Sequence, residues 1–550
     1  MFLEFSEVYM NGASLLVKSL ECENVDTLFG YPGVSICPFF DKLTESDIHP
    51  VLVRHEVNAA HEANGYYRSS GKPGVCVSSS GPGATNLITG IATAFADSIP
   101  LIVITGQVKS EHIGSDLFQE ADIVGACESF VKYSYLVKNA SLIPKIVKEA
   151  FHIATTGRKG PVLIDIPVDV LLEEGLDFNY PETVNLRTYK PTVKGHAVQI
   201  KKIINELSKA ERPIIMVGGG VKLSGAKEEV LAFSKKHNIP FVSTLMGLGI
   251  GYEDNLLYIG MVGNNGSKYA NKAINDADCL IVAGARVADR AVKQPDLITK
   301  DKTLIHIDVD PAEIGKNAGP NIPVVGDLKE VFDELNCFEE KFDFTDWVNR
   351  INTYKMTRVG NKETTNLYVD PKEFVYSLSS LLKKESILVT DVGQNQIYAC
   401  SNFVSQGAEF VTSGGFGCMG FSLPAAIGAK IGNPEKRVIS LNGDGALQMS
   451  MCELSTLKQE GLDIKIVVFN NKSLGMIKEY QHLKYNNNYT FNELNGLPHF
   501  DKIAEAYDIG YRECRSNEEM EECINWLLDS KDTCILELNV DRDAFTCMNM

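Results

Sequence analysis

Residues 437–476 read RVISLNGDGALQMSMCELSTLKQEGLDIKIVVFNNKSLGM, and the order of segments within them decides the fold class. The apolar run at 438–441 has the length and composition of a buried strand. Behind it, Leu447, Met451, Leu454 and Leu457 recur at helical spacing. A second apolar run at 464–469 stops at Asn470 and Asn471. Two strands joined through a helix pair in parallel, so their carboxyl ends lie side by side. Asp444, alone between two glycines, and Asn471 should therefore emerge at one edge, where open α/β sheets bind ligands.

The same alternation runs outward through the chain. Short apolar segments at 75–77, 101–104 and 162–166 alternate with helical patterns, as in a parallel sheet covered on both faces. A proline-containing stretch, NYPETVNLRTYKPTVKG (179–195), reads as a linker. A second set of strands is expected at 213–217, 279–283 and 304–307, fading near 326–335, and a polar segment at 339–366 closes it. A third region starts near Asp370. The predicted class is α/β with three doubly wound parallel-sheet domains, residues 1–185, 190–340 and 367–550.

Bulk properties narrow the function. A chain of 550 residues exceeds what one hydrophobic core serves. A formal charge of −18 argues against nucleic acid or an anionic membrane surface as partner. No apolar stretch reaches membrane-spanning length, and the start, MFLEFSEVYMNG, lacks the basic segment and apolar core of a secretory signal. Thirteen cysteines without a CxxC pair suit reduced thiols better than disulfides or zinc. A cytoplasmic protein is expected.

Asp444 and Asn471 offer a hard cation two side-chain oxygens. An ion that keeps a water and gains phosphate oxygens would complete an octahedron, as magnesium prefers. The plain alternative is a turn aspartate and a helix-capping asparagine. GGFGCMG (414–420) satisfies GxGxxG, yet it lies mid-domain and runs into FSLPAAIGA, so close backbone approach to a phosphorylated or flat ligand fits better than NAD. RHEVNAAH (54–61) is not a zinc helix, because HExxH needs a tighter histidine spacing than His55 and His61 have. Glu56 there opens a helix after a strand, where helix-dipole compensation is its plain role. SSSGPGATN (78–86) ends another strand with glycines and hydroxyls. In the middle region GGG (218–220), MGLGIG (246–251), GNNG (263–266), GAR (284–286) and IDVDPAEIGKN (307–317) put glycines or an acid after strands, as an extended nucleotide site requires. No segment reads GxxxxGK[ST], so there is no P-loop.

Taken together, GDG followed by NN, the RHE glutamate, SGPGATN, GGFGCMGFSLPAAIGA, ITGQV and SDLFQEAD resemble the large-subunit family of acetolactate synthase (acetohydroxyacid synthase). The likeness covers almost the whole chain. It implies pyrimidine-binding, FAD-binding and diphosphate-binding domains, in that order, and an active site between two subunits of a homodimer or tetramer, with a possible small regulatory subunit. The implied cofactors are thiamine diphosphate, Mg2+ and FAD. By this resemblance Asp444, Asn471 and the Ser473 carbonyl hold magnesium. Glu56 hydrogen-bonds the aminopyrimidine and, as a buried carboxyl, has a raised pKa, while Met419 props the two cofactor rings into a bent shape. Cofactor contacts fall to Gly33, Pro82, Asn86, Gly393, Gln394, Asn395, Gly417, Gly443, Gly445, Ala446, Gly475 and Met476. In the middle domain they fall to Gly218, Gly219, Gly263, Gly284, Arg286, Asp308 and Asp327. Phe118 and Gln119 line the substrate channel, and Arg286 lies beside flavin, where it can meet the acceptor's carboxylate.

The implied reaction decarboxylates pyruvate and passes its two-carbon unit to a second 2-keto acid, giving 2-acetolactate. Departures bear on the acceptor: Tyr480 stands where the family's GMxxxW element has tryptophan, Val168 replaces a lysine, VADR (287–290) replaces FDDR, and the sequence stops at DRDAFTCMNM without the family's tail. A related enzyme using another acceptor such as a keto sugar, a simple 2-keto acid decarboxylase, and a non-catalytic flavoprotein are the alternatives.

Overall fold

The computed structural model describes residues 10–546 apart from 253, 293, 295 and 356–366. Three six-stranded sheets follow one another along the chain, each wholly parallel. The first contains β1 (Thr27–Gly30), β2 (His49–Leu52), β3 (Gly74–Ser78), β4 (Leu101–Gln107), β5 (Tyr133–Leu136) and β6 (Pro161–Pro167), in the order β2-β1-β3-β4-β6-β5. The second contains β7 (Pro213–Val217), β8 (Phe241–Ser243), β9 (Tyr258–Met261), β10 (Cys279–Ala283), β11 (Thr303–Asp308) and β12 (Ile322–Val325), in the order β12-β11-β10-β7-β8-β9. The third contains β13 (Ser386–Thr390), β14 (Glu409–Thr412), β15 (Arg437–Gly443), β16 (Ile464–Asn470), β17 (Gly510–Cys514) and β18 (Cys534–Asn539), in the order β14-β13-β15-β16-β18-β17. The α/β class with three parallel sheets is thus as expected from sequence. Central strands such as β7, β10 and β13 are buried at every position, which is why they read as unbroken apolar runs. Each sheet has its own apolar core.

By internal contacts the chain forms two units. One holds the chain through Lys190 with Gly415–Glu435 and Gln448–Asp463; the other holds Pro191–Gly414, Lys436–Leu447 and the chain from Ile464. In the first unit the helix Ser422–Gly432 packs along the helix Glu56–Ser70. Their backbones nearly touch: a Cβ on Gly65 would stand 1.9 Å from the Ala425 carbonyl oxygen, and one on Gly428 would stand 1.7 Å from that of Glu62. Only glycine fits either position.

Two expectations need correction. The single helix expected across 447–457 is a helix Asp444–Ser450, a 3-10 turn Met451–Glu453 and a second helix Leu454–Gln459. The interruption comes at Ser450, at φ −133° and ψ 4°, and the turn delivers the fully buried Glu453 to backbone amides far away in sequence. The polar segment at 339–366 is not all linker. Residues Thr345–Lys355 form a helix whose Trp347 and Ile351 enter the second core, with the Trp347 indole donating to the Pro213 carbonyl at 3.0 Å. Residues 356–366 of that segment lie outside the described residues. The stretch at 179–195 has no helix or strand, yet Leu186 and Tyr189 pack on the first core, and the Tyr189 hydroxyl donates to the Thr156 carbonyl at 2.7 Å. No described helix is long and apolar enough to cross a membrane.

Candidate active site

The site residues expected from sequence gather at the carboxyl ends of strands. In the first sheet Gly33 follows β1, Glu56 follows β2 and Pro82 with Asn86 follow β3. Glu56 is the first residue of its helix, capped by the His55 side chain, which accepts from the Val57 amide at 3.3 Å. Asn86 donates to Glu56 Oε2 at 3.0 Å, and the Glu56 side chain keeps 16% of its exposure. Glu56 is therefore half-buried. A Cβ on Gly83 would lie 3.5 Å from Glu56 Oε1, and one on Gly33 would strike the Ser79 side chain at 2.4 Å. Gly33 is thus needed for the strand-end loops to pass each other.

A cavity of about 310 Å³ opens in the same unit, walled by His55, Asn58, His61, Asn86, Cys418, Met419 and Met449 among others. Met419 and Asn86 are therefore brought together; Glu56 reaches this wall through Asn86. Gly417, at φ +75°, faces open space, so its backbone is accessible. Burial pulls the His61 imidazole down to about 4, so it stays neutral, and its Nε2 lies 3.6 Å from Cys418 Sγ. Phe118 and Gln119 sit apart from the cavity walls, on the exposed loop after β4. Phe118 is 87% exposed and Gln119 takes φ +61°. The Glu120 carboxylate shapes this loop, accepting from the amides of Gly114 and Leu117. Gly81 is required beneath it, since a Cβ there would come within 2.8 Å of Gln119 Cα.

The second unit holds the GDG–NN group. β15 and β16 pair with Gly443 opposite Phe469, so Asp444 and Asn471 leave neighbouring strand ends as the spacing predicts. Asp444 is 2% exposed. Burial pushes its carboxyl up to about 6, against the opposing pull of the amides of Gly445, Lys472, Ser473 and Asn471. A carboxylate gathered among amides in this way is set to accept positive charge. Asn471 accepts from the Ser473 amide at 3.0 Å and donates to Gln394 Oε1 at 3.1 Å. Gln394 also donates to Glu479 at 2.9 Å, while Asn395 donates to the Asp391 carbonyl at 2.7 Å. Gly475 has no room for a side chain: a Cβ would stand 2.0 Å from Gln394 Oε1 and 2.7 Å from Asn471 Nδ2. Gly393 is at φ +147° and its Cβ would meet Asn395 Oδ1 at 2.5 Å. Gly443 abuts the same atom, Gly445 donates its amide to Asp444 at 2.8 Å, Ala446 is buried and Met476 is half-buried on the helix Gly475–Lys484. Tyr480, on that helix, is 39% exposed and meets Tyr485 edge-on at 5.7 Å between ring centres.

In the second sheet Gly218, Gly263, Gly284, Asp308 and Asp327 likewise occupy strand carboxyl ends. Several are accounted for by chain packing. A Cβ on Gly218 would meet the Gly284 carbonyl oxygen at 2.2 Å, and one on Gly263 that of Arg290 at 2.2 Å. Gly219 would touch the Met246 side chain at 3.0 Å. Asp327 caps a helix through the Lys329 amide at 2.9 Å, and Asp308 accepts from the Asp310 amide at 2.9 Å. Arg286 is half-buried.

Among the buried acids that escaped sequence reasoning, Glu479, Glu453 and Glu62 lie nearest the residues assigned to the site. Glu479 joins the Gln394 amide to the amide and hydroxyl of Thr546. Glu62 lies on the buried face of the helix Glu56–Ser70, and Glu453 packs against that helix's first turn. A charged residue inside an otherwise apolar helical pattern was the one signal available for Glu453.

The three-sheet α/β class agrees with comparisons to known proteins. Models of the thiamine pyrophosphate enzyme N-terminal TPP binding domain, central domain and C-terminal TPP binding domain match residues 10–126, 200–335 and 391–538. The class is that of the thiamine pyrophosphate enzymes. A protein named probable acetolactate synthase large subunit from Methanococcus aeolicus is 42% identical, with 98% of this chain and 93% of that protein covered. Acetolactate synthase large subunits of Haemophilus influenzae and Lactococcus lactis are 39% and 41% identical, covering 97% and 91% of this chain and 95% and 87% of theirs. The chain belongs to the acetolactate synthase large-subunit family.

Proposed function

We propose that this chain is a thiamine diphosphate- and magnesium-dependent carboligase that decarboxylates pyruvate and transfers the two-carbon unit to a second 2-keto acid, giving 2-acetolactate. The observation that carries the reading is near-complete coverage by relatives named acetolactate synthase, in a chain that keeps both Glu56 at a helix head and Asp444 beside Asn471. Thiamine diphosphate, when bound, would supply the electron sink that decarboxylation of a 2-keto acid needs.

The rest is done by the protein. Asp444, Asn471 and the Ser473 carbonyl form a set of hard oxygen donors that fits magnesium, and Gly475, Gly443 and Gly393 admit the Gln394 and Asn395 side chains against the backbone beside the place a diphosphate would take. Gln394 and Asn395 flank that position. Glu56, steadied by Asn86, holds a proton against the aminopyrimidine, assistance worth roughly 10²–10⁴ in rate. Met419, on the cavity wall, would pack against the bound cofactor; Phe118 and Gln119, on their exposed loop apart from that wall, would meet substrate on its way in. The division into residues 1–185, 190–340 and 367–550 as pyrimidine-binding, FAD-binding and diphosphate-binding domains belongs to this proposal. So do a homodimer or tetramer with sites between subunits, a small regulatory partner suggested by the words large subunit in the relatives' names, and a cytoplasmic location; solution mass distinguishes the assemblies. FAD in the second sheet's strand-end loops rests on the family resemblance, since its glycines are explained by packing. Purified protein that shows no flavin absorbance and takes up no added FAD overturns that part.

Two substitutions test the assignment. Glu56→Gln keeps side-chain volume and should retain cofactor while losing about 10²-fold or more in turnover. Asp444→Ala removes one of two side-chain oxygens and should weaken magnesium-dependent cofactor binding, read by titration. Near-normal turnover in the first, or unchanged binding in the second, contradicts the reading.

A further inference from the structure

Glu453 is 0% exposed, on the 3-10 turn Met451–Glu453. Its Oε1 accepts from the amides of Arg54 at 2.9 Å and His55 at 3.2 Å and from the Asn58 side chain at 2.8 Å. Its Oε2 accepts from the Arg54 amide at 3.2 Å and the Thr456 hydroxyl at 2.5 Å. Both oxygens act only as acceptors, as an ionised carboxylate does. The amides of Arg54 and His55 are the last two before Glu56, just outside the ladder of hydrogen bonds within the helix. A buried carboxylate from a distant segment thus replaces the local side-chain cap that the sequence RHE does not supply for them.

We infer that Glu453 is a positioning residue for Glu56: its carboxylate clamps the Arg54 and His55 amides and fixes the turn from which the Glu56 side chain leaves the helix. This rests on the proton-holding role proposed for Glu56. The backbone at the turn sets where the Glu56 carboxylate lies relative to Asn86, and a displacement of about 1 Å in such a group costs on the order of 10²-fold in rate. Glu62, on the same helix, lies against Glu453, and burial with that neighbour's charge pushes its carboxyl well above the usual range.

The test is the exchange of the thiazolium C2 proton of bound thiamine diphosphate for deuterium from solvent, followed by NMR alongside cofactor titration and thermal melting. Glu453→Gln keeps volume but turns one acceptor into a donor. It should slow exchange about tenfold or more while the cofactor dissociation constant changes less than threefold. Glu453→Asp, which keeps the charge but withdraws it by one methylene, should slow exchange likewise and serves if the glutamine variant does not fold. Thr456→Val removes a bond to the same carboxylate and one to the Leu52 carbonyl at 3.1 Å but leaves the bonds to the Arg54 and His55 amides in place; it should lower the melting temperature and leave exchange unchanged. A wild-type exchange rate in folded Glu453→Gln or Glu453→Asp, or an equal slowing in Thr456→Val, overturns the inference. Glu56→Gln separates this from the underlying reading: if that variant also exchanges at the wild-type rate, the role given to Glu56 is what has failed.

Discussion

At the residue scale, what the sequence shows and what it hides divide by distance along the chain. Asp444 and Asn471 are legible because one βαβ unit brings them together, and the same holds for Glu56 at a strand-to-helix junction. Glu453 is illegible because the amides it holds lie 399 residues away; no local pattern records such a contact. Tyr480 is legible only against the family, where tryptophan is usual. Its ring is partly exposed, packed edge-on against Tyr485, and a phenol fills less space than an indole while adding a hydroxyl. One methylene of extra contact discriminates by about 1–3 kcal/mol, and a smaller ring forfeits part of it. With pyruvate and 2-ketobutyrate competing in one vessel, this chain should show little preference for 2-ketobutyrate as acceptor, and Tyr480→Trp should gain some. A strong wild-type bias toward acetohydroxybutyrate would remove Tyr480 from that role.

At the element scale, fully buried strands such as β7 and β10 are readable to the residue because every position is apolar. Helix breaks are not, since periodicity continues through Met451 and Leu454 while the backbone does not. The helix Thr345–Lys355 is missed because its mean composition is polar; Trp347, Val348 and Ile351, within about one turn, are its apolar signal. The pairing of the helices Glu56–Ser70 and Ser422–Gly432 carries a pH consequence through Glu62, which is fully buried. Its folded pKa is raised above the unfolded one. The unfolded chain therefore releases this proton first as pH rises from about 4.5, and folding is opposed increasingly until the folded group ionises. The opposition grows by at most about 1.4 kcal/mol per pH unit. Glu62→Gln mimics the protonated side chain and removes it. The melting temperature of Glu62→Gln relative to the wild type should rise between pH 5 and 7; a pH-independent difference would mean that Glu62 is ionised when folded.

At the scale of the whole molecule, three parallel sheets follow one another, and Glu56, Asp444, Asn471, Gly218, Gly284 and Asp308 each stand at the carboxyl end of a strand. The order of the sheets was readable from alternating apolar runs and two loose stretches, whereas the distribution of 415–435 and 448–463 into the unit of the first sheet depends on glycine-mediated helix contacts that no run of residues displays. The acidic balance of −18 disfavours a polyanionic partner. The most direct measurement is product analysis by NMR after incubating the protein with 13C-labelled pyruvate, with and without thiamine diphosphate and magnesium. The account predicts labelled 2-acetolactate and carbon dioxide only when the cofactor is present; carbon dioxide with acetaldehyde alone, or no turnover of pyruvate by cofactor-loaded protein, would contradict it.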